Sequence, residues 1–162
     1  MTLEQDFRTH YTEIYRYAAR LAGSRENAED VAQESFLRLE HLVRRGAGPA
    51  EPRAWLFRVA TNLCRDLRRR RRTRGDGREG LEALRSRSDP SADLLREERC
   101  ALARRVLDQL RERDRVLLAL WSAGHSHAEI ARIAGLRSSS IGRLLERATR
   151  RAASLLEEES KR

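Results

Sequence analysis

Residues 127–151 read HAEIARIAGLRSSSIGRLLERATRR, a stretch in which two apolar helical patterns meet at a glycine. Ser126 and Glu129 form the S-x-x-E pattern of a capping box, which predicts the start of the first helix. Gly135 follows at a point where a helix end needs a positive φ, and the small Ala131 lies four residues earlier, where two helices must approach closely. The pattern is typical of a DNA-binding helix-turn-helix, and it also fits a plain hairpin of two helices.

The second helix of this stretch begins with serines and arginines, whose side chains can donate hydrogen bonds to phosphates or base edges. In a helix-turn-helix the N-terminal turn of the second helix lies against base edges, and the helix N-terminus itself favours a phosphate. We expect Ser138 to cap this helix. We expect Leu136, Ile141 and Leu144 to pack inward. The side chains expected at the DNA duplex are Arg137, Ser138, Ser139, Ser140, Arg143 and Arg147, with Glu146 exposed beside them.

The chain before this stretch also has helical periodicity. Apolar residues recur at steps of three and four over residues 3–21, and again from a predicted cap at Asn27 as far as Arg45. A third helix is predicted from Arg53 into the arginine run 68–72. No segment alternates apolar and polar residues as a strand would, so the predicted fold class is all-α.

The composition divides the chain into two basic parts around an acidic connection. Residues 75–93 are rich in Gly, Ser, Arg and Asp and have little to bury, which predicts a flexible linker. We therefore expect two small helical bundles, over residues 1–74 and 94–162, with the helix-turn-helix in the second.

The net charge of +9 favours a polyanionic partner, and nucleic acid is the commonest one for a basic protein. All but one of the 34 basic residues are arginine, which a GC-rich genome would also produce. Cys64 and Cys100 lie far apart without metal-ligand spacing, so we expect no metal site, disulfide or cofactor. With no leader-like or membrane-spanning apolar run, the expected location is the cytoplasm. The histidines have no nucleophile or carboxylate at a catalytic spacing, so no enzyme activity is expected.

Two blocks in the first bundle carry a family resemblance. AEDVAQESFLRL places acidic residues on one helix, and AWLFRVATNLCRDLRRRRR places Trp55, Asn62 and several arginines on the next. A reader of single-stranded DNA uses such residues, although Trp55 at helical spacing is expected in the core. These blocks resemble region 2 of the extracytoplasmic-function (ECF, group 4) sigma factors of bacteria, and LDQLRERDRVLLALWSAGHSHAEIARIAGL resembles their region 4.

The resemblance implies a promoter-specificity subunit of bacterial RNA polymerase core. Region 2 would bind the clamp helices of the largest subunit and hold the melted minus-10 strand, while region 4 would dock on the flap and read the minus-35 duplex. An inhibitory anti-sigma factor is implied as a further partner. The polymerase-binding residues carried over are Asp30, Gln33, Glu34 and Leu37. Those carried over to promoter DNA in the first bundle are Arg58, Asn62, Arg65, Arg68 and Arg69.

Three positions depart from the family pattern. Glycine replaces the usual lysine at Gly142, leucine replaces arginine at Leu144, and Arg111 replaces a common proline. The departures in the second helix bear on duplex recognition. Two alternatives therefore stay open: a stand-alone helix-turn-helix regulator, and a sigma-like adaptor with weak promoter recognition.

Overall fold

The computed structural model describes residues 3–74 and 90–161, which form seven helices and no strand. This confirms the all-α prediction. The helices are α1 (Leu3–Leu21), α2 (Arg25–Arg44), α3 (Pro52–Arg74), α4 (Pro90–Gln109), α5 (Glu112–Ser122), α6 (His127–Ala134) and α7 (Ser138–Ser160). None of these seven helices is long and apolar enough to span a lipid bilayer.

The first bundle consists of α1, α2 and α3. Its core includes Ile14 and Tyr17 from α1 and Phe57 from α3, all of them fully buried. The hydroxyl of Tyr17 lies 2.6 Å from that of Thr61, and Thr61 in turn donates to the Phe57 carbonyl, so both of these buried hydroxyls have hydrogen-bond partners. Trp55 packs against this core while remaining partly accessible.

Helix α2 begins two residues before the predicted cap. Ser24 is the N-cap, and its hydroxyl accepts a hydrogen bond from the backbone N–H of Asn27 at 3.2 Å. The Asn27 side chain instead donates to the Ala22 carbonyl. The prediction of Asn27 as the cap was wrong because Ser and Asn both favour this position, and only the backbone decides which of them holds the extended conformation.

The second bundle consists of α4 to α7 and contains the predicted helix-turn-helix. The capping box at Ser126 and Glu129 is present in both directions, and Gly135 ends α6 with φ of 70°. Arg137 precedes α7 in an extended conformation, and its side chain makes no cap hydrogen bond. The prediction that Ser138 caps α7 was therefore wrong: Ser138 is its first helical residue.

The two bundles pack against each other, and their buried residues form one continuous apolar cluster. Helix α5 contacts α1, and α6 contacts α3. Of the predicted linker, residues 75–89 lie outside the described residues, and α4 already begins at Pro90. The arrangement places the basic end of α3 beside the acidic side chains of the second bundle.

Candidate polymerase and promoter interfaces

The four residues of α2 assigned to polymerase share one face of that helix, because their spacings of three and four residues place them in a stripe. Asp30, Gln33 and Leu37 are exposed, while Glu34 is half-buried and accepts a 2.7 Å hydrogen bond from Arg38. The Leu37 side chain is 58% exposed, although leucine is normally buried. This α2 face therefore combines negative charge with an accessible apolar side chain.

Three aromatic rings pack together where α1 meets α2, and the sequence did not indicate that one of them, Phe7, is exposed. The ring of Phe7 packs 5.0 Å from that of Phe36 and 4.7 Å from that of Tyr11. Phe7 nevertheless stays 45% exposed, so it adds apolar surface at the junction of α1 and α2. Its place in the helical period of α1 predicted only a core residue, because exposure depends on how far α2 covers that position.

The five residues of α3 assigned to DNA fall into two groups. Arg58, Asn62 and Arg69 are exposed. Arg65 and Arg68 are partly buried against the second bundle, with Arg65 Nε 3.3 Å from Glu112 Oε1 and Arg68 Nη1 3.6 Å from Asp108 Oδ1. The structure thus brings all five onto one helix while pairing two of them with carboxylates.

Arg53, at the start of α3, joins the two bundles. Its guanidinium donates to Glu13 Oε2 at 3.1 Å within the first bundle, and to the Ala123 carbonyl and His125 Nδ1, each at 3.3 Å, in the second. The same group lies over the Phe57 ring, 5.3 Å from its centroid. The sequence marks Arg53 only as a helix start, so nothing in the chain signals this role.

His125 is the buried partner of Arg53 in the second bundle. Its ring packs edge-on against Phe57 with centroids 4.3 Å apart. Burial, assisted by the Arg53 charge, lowers the pKa of His125 from its ordinary value of 6.5, although Glu129 and Glu13 act in the opposite direction. Because guanidinium can only donate, a hydrogen bond from Arg53 across this 3.3 Å contact needs an unprotonated Nδ1 as its acceptor.

The N-terminal half of α7 presents the predicted duplex-reading face. Ile141 and Leu145 are buried against the rest of the bundle. Arg137, Ser138, Ser139, Arg143 and Arg147 are exposed, and Ser140 is half-buried. The predicted duplex-reading face is therefore exposed along the first two turns of α7.

The two departures in α7 have different structural contexts. Leu144 packs against the core, so its side chain belongs to the packing of the helix-turn-helix. Gly142 is exposed, and a Cβ placed on it would meet His127 Cε1 at 3.7 Å, an ordinary contact distance. The His127 ring also lies 5.3 Å from the exposed ring of Trp121. The His127 ring therefore lies beside the surface of α7 at Gly142.

The chain is similar in sequence to known bacterial sigma factors. The family model for Sigma-70 region 2 matches residues 7–74. The ECF RNA polymerase sigma factor SigL of Mycobacterium tuberculosis is 32% identical over 151 residues, covering 92% of this chain and 85% of that protein. SigE of Mycolicibacterium smegmatis, also an ECF RNA polymerase sigma factor, is 42% identical over 77 residues, or 48% of this chain and only 28% of that protein.

A solved structure has the same arrangement of helices. The sigma factor RpoE of Bartonella quintana, in complex with the anti-sigma factor NepR, superposes with a TM-score of 0.74 at 22% identity. The superposition covers 95% of this chain and 96% of that one. At this level of identity the likeness concerns the fold.

Proposed function

The chain belongs to the ECF RNA polymerase sigma factors, and from this we propose that it directs transcription initiation by binding core polymerase through α2 and promoter DNA through α3 and α7. The placing of polymerase on α2 and of DNA on α3 is supported by the different charges of these two helix faces. Acidic and apolar side chains line the α2 face, whereas the exposed polar side chains of α3 include Arg58, Asn62 and Arg69.

The α2 face suits a protein partner better than DNA. Carboxylates at Asp30 and Glu34 would repel phosphates, whereas a basic protein surface would attract them. Leu37 adds the apolar contact that the buried centre of a protein interface needs. We assign Asp30, Gln33, Glu34 and Leu37 to the clamp helices of the largest polymerase subunit.

The α3 face suits a melted strand. Arginines can follow the phosphates, while the Asn62 amide can hydrogen-bond an unpaired base. Helix α7 suits duplex DNA, because Ser139 and Arg143 project from its first turns with nothing from the bundle covering them. A core-bound chain would thus hold the minus-10 strand and the minus-35 duplex at separate surfaces, with α7 near the polymerase flap.

The chemistry of RNA synthesis is left to the polymerase. Among the described residues, no group of three or more His, Cys, Asp or Glu side chains could hold a metal ion. Burial raises the pKa of the Cys64 thiol to about 12, so its nucleophilic thiolate form is scarce. The chain acts as a regulatory subunit, and an anti-sigma factor, such as the one bound to the RpoE relative, would be its inhibitor.

Run-off transcription with purified bacterial core polymerase tests the proposal. Core plus this chain should initiate at specific promoters of a genomic template, and core alone should not. Sequencing the transcripts would then show the two promoter elements upstream of each start. Tight duplex binding without core, combined with no transcription at any promoter, would instead identify a stand-alone regulator.

A further inference from the structure

Resting on the proposed function, we propose that Asp114 and Arg151 position α7 for reading the minus-35 duplex. The carboxylate of Asp114, in the first turn of α5, accepts a hydrogen bond from the Arg151 guanidinium in the C-terminal half of α7. Neither side chain belongs to the exposed face that we assign to DNA. The pair instead fixes the rotation of α7 about its own axis, and with it the direction of Ser139 and Arg143.

Asp114 is unusual for an acidic residue, because only 2% of it is exposed. A buried carboxylate is costly unless its oxygens are paired. One oxygen contacts Nη1 of Arg151, and the other lies 3.5 Å from Nε of Arg113, its neighbour on α5. The helix dipole favours an acidic residue in the first turn, but it would favour an exposed carboxylate equally. The burial of Asp114 is therefore explained by its link to α7.

Arg151 continues the buried stripe of α7. The buried residues of this helix are Ile141, Leu145 and Ala148, which follow one another at steps of four and three. A further step of three reaches Arg151, so a charged side chain lies where the helical period predicts an apolar one. Apolar contacts have no direction, whereas an ion pair requires particular atoms to meet. A single polar residue in such a stripe can specify the register in which helices pack.

The pair can act on the duplex-reading face because α7 is one continuous helix, Ser138–Ser160. Arg151 lies about 12 Å along the axis from Arg143, at about 1.5 Å per residue. A rotation of α7 by about 20° would move side-chain atoms, about 6 Å from the axis, by roughly 2 Å. Such a shift breaks hydrogen bonds to base edges, whose heavy atoms must lie about 2.7–3.2 Å apart. Attraction to the phosphates depends less on geometry, so the pair should affect sequence discrimination more than overall affinity.

The far end of α7 is held by separate contacts. Glu159 accepts hydrogen bonds from Arg105 Nε at 3.1 Å and from Gln109 Nε2 at 2.9 Å, both on α4. These contacts and the buried stripe remain when the pair with Asp114 is removed. We therefore expect α7 to change its orientation without leaving the bundle.

The test compares the binding of holoenzyme, formed from core polymerase and the whole chain, to two duplex promoters. The first is a promoter identified by run-off transcription, and the second differs only in a scrambled minus-35 element. The discrimination ratio is the affinity for the first divided by the affinity for the second. Arg151→Gln and Asp114→Asn should each lower this ratio by about five-fold or more. Combining them should lower it no further, because both break the same contact.

Two further variants separate position from charge. Arg151→Lys keeps the charge and a donor, so it should retain most of the discrimination ratio. Arg150→Gln is the matched control, because Arg150 lies next to Arg151 but pairs with Glu146 of the same helix and is 73% exposed. It removes the same charge as Arg151→Gln, so the two should lower overall affinity equally, but the control should leave the ratio within about two-fold.

The ratio is measured well below the melting temperature of each variant, so that a purely stabilising role of the pair would leave it unchanged. An unchanged ratio in either Arg151→Gln or Asp114→Asn would overturn the inference, and so would an equal loss in Arg150→Gln. If Asp114→Asn does not fold, Arg151→Gln decides alone, since Arg151 is 42% exposed and tolerates substitution better. A wild-type holoenzyme that transcribes without preferring the intact minus-35 element would overturn this inference and leave polymerase binding standing. No promoter-specific transcription by the wild-type chain would overturn the proposed function as well.

Discussion

The Nη1 atom of Arg53 lies 3.3 Å from Nδ1 of His125, and this hydrogen bond joins residues 72 positions apart in the chain. The imidazole is buried, so its protonation would place a second positive charge beside Arg53 without water to solvate it. The contact between the two bundles at this point is therefore more stable when His125 is neutral. Glu129 and Glu13 favour the charged imidazole and only partly offset this cost.

Stability should therefore fall on mild acidification. The pKa of His125 is lowered in the folded chain, so the unfolded chain binds more protons below the ordinary pKa of 6.5. The free energy of unfolding should decrease as pH falls from 6.5, by at most about 1.4 kcal/mol per pH unit. Urea unfolding at pH 7.5 and 5.5 measures this decrease, and His125→Gln should reduce it.

The control for the histidine is His127→Gln, since His127 is exposed and only two residues away. It should leave the pH dependence intact. Hydrogen bonds with Ser126 lower the pKa of the Glu129 carboxyl group. Its contribution to the free energy of unfolding is therefore lost only below about pH 4.5, outside the range from pH 7.5 to 5.5. An unchanged pH dependence in His125→Gln would mean that protonation does not act at this contact.

Two glycines of the helix-turn-helix should respond to alanine in opposite directions. Gly135 has φ of 70°, so Gly135→Ala forces a strained backbone and should destabilise by about 1 kcal/mol or more. Gly142 lies within α7 with only an ordinary contact awaiting a Cβ, so Gly142→Ala should stabilise by up to about 1 kcal/mol. Thermal unfolding of both variants checks the signs, and a loss of stability in Gly142→Ala would show that the His127 ring cannot accommodate a methyl group.

The helices and the helix-turn-helix could be predicted from the sequence because they depend on local patterns. The α1 bounds at residues 3 and 21 follow from apolar periodicity, and the Ser126 cap follows from a four-residue motif. The pairing of Arg65 with Glu112 could not be predicted, because it depends on how two separate bundles meet. Periodicity places Arg65 on a helix surface without showing which other surface will cover it.

Asn62 tests the assignment of the melted strand to α3. It is exposed, so Asn62→Ala should leave folding nearly unchanged, within about 0.5 kcal/mol. If its amide binds an unpaired base, the variant should slow open-complex formation on duplex promoters more than on promoters already melted at minus 10. Permanganate footprinting with core polymerase follows melting on the duplex promoters, and run-off transcript yield compares the two templates. Equal losses on the two templates would assign Asn62 to general affinity rather than to strand capture.

The α2 face gives the most direct test of polymerase binding. Asp30→Arg with Glu34→Arg reverses the acidic part of this face, and the new charges would repel a basic partner, so we expect core affinity to fall at least ten-fold in competition binding. Glu4→Arg with Glu98→Arg makes the same charge change at exposed positions of α1 and α4, outside the surfaces assigned to polymerase, and should leave core affinity within about two-fold. Leu37→Ala removes only apolar area from an exposed position, so it should weaken core binding by a few-fold without lowering the melting temperature. Undiminished core binding in the Asp30 and Glu34 reversal would place the polymerase contact on another face of the first bundle.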